Sequence, residues 1–190
     1  MTRSGSRTAV ITLVSAVAIA VAAEAGPTPT LRVVLHVIDY VSVPPDMLAR
    51  AQEASARVYA RADVAVEWTS GWAALAPNDG ALHLDVVFLA EDMPGYRASE
   101  PTTFGRASAV ARRAYIFLAR VMDHSRATFS DPSRVLAVVL AHEVGHLLMP
   151  QVHHSKAGLM RADYAGALYD VPPLSRSEGA AIRSLLLSAR

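Results

Sequence analysis

The sequence contains no cysteine among its 190 residues, which excludes disulfide staples and the lipid anchoring of bacterial lipoproteins, whose cleavage site requires that residue. It also lacks an excess of either charge. Lys+Arg 18 against Asp+Glu 17 gives a formal +1. Loss of Arg3, Arg7 and Glu24 with an N-terminal leader changes this by −2 +1, so the remainder is formally neutral. A nucleic-acid partner is therefore not expected, because it would need a basic footprint. Lys156 is the single lysine in an otherwise arginine-based set, a bias that fits a GC-rich genome. Long apolar runs are scarce as well. Ala9 to Ala23 follows Arg3 and Arg7 and precedes the small-x-small triplet Ala23-Glu24-Ala25. It is short for a bilayer span, and no second span follows. These features predict a signal peptide over 1–25, a single domain over 26–190, secretion or periplasmic location, and no stable membrane anchor after cleavage. Oligomeric state is not legible.

What is present centres on His142-Glu143-Val144-Gly145-His146. On a helix, positions i and i+4 lie on one face a turn apart, so two imidazoles can reach one metal ion. Zinc accepts neutral imidazole nitrogens readily. Glu143 lies one residue round from His142, where its carboxylate can take a proton from a water activated by the metal. The motif ends the apolar run Val135 to Ala141, so the helix is expected to be central and buried, a setting in which unpaired His and Glu are costly and a metal removes the cost. Asp131 as N-cap, Pro132 in the first turn and Pro150 after Met149 bound it to about Pro132–Met149.

A tetrahedral zinc that keeps one position for water needs a third protein ligand. His153 and His154 follow Pro150, and Gly158-Leu159-Met160 reads as a turn ending in methionine. Together these residues resemble the metzincin clan of zinc endopeptidases, whose helix motif is followed by a third ligand and a methionine-containing turn. The His154-Ser155 pair is most similar to small secreted bacterial members and to matrix metalloproteinases. The resemblance implies zinc on His142, His146 and His154, with His153 as the alternative third ligand, Glu143 as general base and Met160 as a structural floor. It departs from the clan at Met149, where glycine is usual, and at Val152, where the third ligand would fall, so the third histidine is displaced by one or two residues. With no cysteine, a thiol-bearing propeptide that caps the metal is not expected, and Gly26 to Leu31 is too short for an inhibitory segment. Tyr164 stands four residues after Met160, and the clan's metal-proximal tyrosine two, so it is expected to pack in the cleft wall.

Glu178 offers a rival third ligand of thermolysin-like type, but Ser175-Arg176-Ser177-Glu178 also reads as a capping box. Asp163 and Asp170 are weaker candidates, more naturally turn residues near Pro172-Pro173. His36, His83 and His124 lack metal spacing. The rest of the chain predicts an α+β domain of zincin type, a twisted mixed sheet with a backing helix, the zinc-binding helix, the methionine turn and a C-terminal helix. The expected elements are a strand from Leu31 to Val41, a helix from Pro44 to about Ala62, strands Val64–Trp68 and Leu82–Ala90, and a strand Ala114–Val121. Phe104 to Val110 matches the region that forms the substrate-pairing sheet edge in the clan. The function this predicts is a secreted zinc endopeptidase acting on a peptide or protein substrate. The alternative is a zinc-binding secreted protein of degenerate protease fold.

Overall fold

Leu31, Val33 and Leu35 alternate with residues of the opposite face and are all buried, so the chain enters as strand β1 (Leu31–Asp39) with an apolar side committed to the core. The computed structural model describes residues 31–76, 78–91, 103–152, 154–162, 164 and 168–188. The leader expected over 1–25, His153 and Asp163 lie outside them. The Asp39 carboxylate accepts from the amides of Val41 at 2.9 Å and Val43 at 2.8 Å, turning the chain into helix α1 (Pro45–Ala60), which starts on a proline.

Strands β2 (Val64–Ser70) and β3 (Leu82–Leu89) pair in parallel on either side of β1. Strand β5 (Arg113–Phe117) adds in parallel to β3, and the short β4 (Gly105–Ser108) pairs antiparallel to β5, giving the order β2-β1-β3-β5-β4. The sheet is thus mixed, as expected. It is mostly parallel, however, with α1 crossing between parallel strands, so the architecture is mixed α/β and not the segregated α+β arrangement. Among the described residues, β4 is an edge of the sheet.

Helix α3 (Pro132–Leu148) runs along α1 and β4 and buries all but three of its 17 residues. A helix apolar on every side is a core helix. Asp131 caps it, accepting from the Ser133 amide at 2.8 Å. Tyr59 of α1 donates its hydroxyl to the Ala141 carbonyl at 2.5 Å, tying the two helices one residue before His142. Helix α4 (Arg176–Ser188) closes the described chain. Its capping box is formed: Ser175 N–H donates to Glu178 Oε2 at 2.7 Å and Glu178 N–H to Ser175 Oγ at 3.2 Å.

The strand expected over Ala114–Val121 is corrected. It stops at Phe117, and helix α2 (Leu118–Thr128) begins at once. Phe117 provides no side-chain cap, and the helix ends on Phe129 in a left-handed conformation, φ 53°, where glycine is usual. Neither end carries its ordinary sequence signal.

Candidate metal centre and cleft

One helical turn of α3 places His142 and His146 side by side, their Nε2 atoms 3.0 Å apart. His154 completes a triangle, its Nε2 at 3.3 Å from that of His142 and 3.1 Å from that of His146. Among the described residues this is the group able to hold a metal ion. Zinc–nitrogen bonds of about 2.05 Å at tetrahedral angles put ligand nitrogens roughly 3.3 Å apart, close to the observed separations. The hydrogen bonding agrees. His142 Nδ1 lies 2.8 Å from the Leu159 carbonyl, which can only accept, so the proton sits on Nδ1 and the Nε2 lone pair faces the other two rings. An unprotonated Nε2 converging on two more nitrogens suits a cation.

Burial favours the neutral rings this requires. His142 is held below the ordinary histidine range by burial and by His154, against the Leu159 hydrogen bond. Burial first, then His142 and His154, pulls His146 down to about 4.

The third histidine arrives without the glycine usual in the clan. Met149 ends α3 with φ −135°, a conformation open to any residue, its amide bonded to the Gly145 carbonyl at 2.9 Å. Pro150 then leads a turn in which Val152 N–H meets the Met149 carbonyl at 2.9 Å, and the chain needs two more residues to bring an imidazole back, at His154. Ser155 N–H donates to the Met160 carbonyl at 2.7 Å. Gly158, at φ +79°, makes the bend between them. This loop carries the Leu159 carbonyl to His142 and Met160 against Gly145.

Met160 is wholly buried, its sulfur 2.6 Å from where a Cβ on Gly145 would stand. The glycine inside the motif makes room for it. Tyr164 lies against His142, its hydroxyl 3.3 Å from Nδ1 and donating to the same Leu159 carbonyl. The tyrosine expected only in the cleft wall therefore also buttresses His142.

Glu143 lies beside the triangle in a cleft of about 640 Å³, lined also by Phe104, Gly105, Arg106, Val139 and Pro150. Burial raises its carboxyl to about 8, and the charge of Arg106 opposes the rise. Glu178 stays in its capping box outside the histidine group, so the thermolysin-like arrangement is not formed. His36 and His83 pair across β1 and β3, Nε2 to Nδ1 at 2.9 Å, with His83 Nε2 at 2.9 Å from Asp79. His124 packs edge-on to Phe104, 5.1 Å between centroids. These contacts come from register between distant segments, which single-sequence spacing does not reveal.

The arrangement of sheet and core helix has a counterpart among solved structures, at low sequence identity. The structure is similar to that of archaemetzincin from Methanopyrus kandleri, with a TM-score of 0.53 at 16% identity, covering 83% of this chain and 96% of that one. A zinc-dependent peptidase from Methanocorpusculum labreanum (strain Z) aligns with a TM-score of 0.49 at 16% identity, covering 80% of this chain and 99% of that one. No family model matches the sequence, and no curated protein matches it.

Proposed function

We propose that the chain is a zinc-dependent endopeptidase of metzincin type, exported by its leader over residues 1–25. The observation that carries this is the convergence of three imidazole nitrogens, 3.0 to 3.3 Å apart, beside a buried carboxylate in an open cleft. His142, His146 and His154 would hold the ion, and the His154-Ser155 pair with Met160 supports kinship with the small secreted and matrix-metalloproteinase types. Bound zinc supplies Lewis acidity, which polarises a scissile carbonyl and makes water more acidic.

The remaining chemistry belongs to the chain. With a cation beside it to offset the effect of burial and favour its ionised form, Glu143 would take the proton from the attacking water and deliver it to the leaving amine. Leu159 and Tyr164 keep His142 in the Nδ1–H tautomer. The edge of β4, which pairs with no further strand among the described residues and lines the cleft, can accept an extended peptide as an added strand. A closed structural zinc site would need a fourth protein ligand, whereas here three histidines border a cleft.

Exposure of an unbiased peptide library to the zinc-loaded protein tests the proposal, with Glu143→Gln as the matched control. Cleavage by the wild type that vanishes in the control is expected. One bound zinc with no cleavage would favour a zinc-binding protein of degenerate protease fold instead.

A further inference from the structure

We propose that Gly105 is a positioning residue for Glu143: the missing side chain at the first position of β4 reserves the space in which the carboxylate stands. The catalytic consequence rests on the reading of Glu143 as general base. A Cβ on Gly105 would lie 2.7 Å from Glu143 Cγ, 3.0 Å from its Cδ and 2.8 Å from the Tyr115 carbonyl oxygen. The residue does not have the positive φ that would demand glycine for backbone reasons, so proximity is what requires it. No hydrogen bond holds the Glu143 carboxylate among the described residues. Its position is set by the shape of its surroundings, and Gly105 leaves open the space that a side chain there would take from it.

Neither wall can retreat. Gly105 is paired with Ile116 in the β4–β5 ladder, and the preceding Phe104 carbonyl accepts from Phe117 N–H at 2.9 Å. Arg120 of α2 donates to the Thr103 carbonyl at 2.7 Å while stacking 5.1 Å over the Phe117 ring. Behind Glu143 stands the buried body of α3. A methyl group at position 105 must therefore displace both the Tyr115 carbonyl, 2.8 Å away, and the glutamate side chain, the latter by about 0.7 Å to reach ordinary contact at 3.4 Å. Misplacement on the order of 1 Å can cost about 10²-fold in rate.

The test joins kinetics to a double-mutant cycle, using the full chain and the variants Gly105→Ala, Glu143→Ala and the two together. Zinc-loaded Gly105→Ala should keep one zinc per chain and lose about 10²-fold in kcat, with KM changed less than about threefold. In zinc-free protein, Gly105→Ala should lower the unfolding midpoint by about 3–8 °C, and truncating Glu143 should remove more than half of that drop. The Tyr115 contact is common to both backgrounds and cancels in the difference. An equal drop in both backgrounds overturns the proposal whatever the kinetics, and so does an intact kcat in an active enzyme. If the wild type cleaves nothing but the coupling is present, the reserved space stands and the peptidase reading falls.

Discussion

Replacing Gly145 by alanine sets helix propensity against packing at the floor of the histidine cluster. Glycine in a helix interior costs about 1 kcal/mol relative to alanine, so at an unobstructed site the change would stabilise α3. Here the new methyl would stand 2.6 Å from the Met160 sulfur and 3.3 Å from its terminal carbon. Met160 is fully buried, and the bonds Ser155 N–H to Met160 O at 2.7 Å and Leu159 N–H to Pro173 O at 3.2 Å hold its loop. Overpacking of this kind costs about 1–3 kcal/mol. The net effect expected is a loss of about 1 kcal/mol, or about 2–4 °C in Tm. In a Met160→Ala background the obstruction is gone, and Gly145→Ala should then stabilise by about 0.5–1 kcal/mol. Thermal unfolding of the four zinc-free proteins reads the change of sign. The same sign in both backgrounds would refute Met160 as the reason glycine occupies the motif.

Three further outcomes follow from the geometry. Asp131→Ala should cost about 1 kcal/mol by uncapping α3. The Ser133 hydroxyl, more than its amide, holds the Asp131 carboxyl below its ordinary 3.8, so its contribution is present above that value and is lost as pH falls below it. Urea midpoints measured from neutral to acid pH should therefore converge for wild type and variant. Arg113→Ala leaves Asp85, whose side chain is 6% exposed, without the guanidinium 2.9 Å away. Because Arg113 is partly exposed, the low end of the usual range, about 3 kcal/mol, is expected in denaturant unfolding. Tyr164→Phe removes a donor to the Leu159 carbonyl that orients His142 and should weaken zinc about tenfold in competition titration with a chelator, without loss of the fold by circular dichroism.

The core helix was legible because every signal coincides there: an acidic cap, a first-turn proline, an apolar run and a closing proline, all between Asp131 and Pro150. His154 could be named but not fixed, since its arrival depends on a loop whose closure is made by backbone bonds of Ser155 and Met160. Helix α2 was hidden for a different reason. Its buried face is narrow, with Val121 and Ser125 its fully buried positions, and it follows β5 without a turn residue. The apolar stretch from Ala114 therefore reads as one strand, and period alone cannot divide it. The role of Gly105 is not legible in the sequence, because its neighbour Glu143 comes from a helix far along the chain. Tyr164 was judged by its distance from Met160 in sequence, whereas its hydroxyl reaches His142 through the shared Leu159 carbonyl.

Zinc titration of Glu143→Gln beside His154→Ala tests the metal centre most directly. Glu143→Gln should bind one zinc per chain with wild-type affinity, because its carboxylate is not a ligand, while His154→Ala should bind far more weakly, having lost one of the three converging nitrogens. Wild-type affinity in His154→Ala would contradict the histidine triangle and place the third ligand elsewhere.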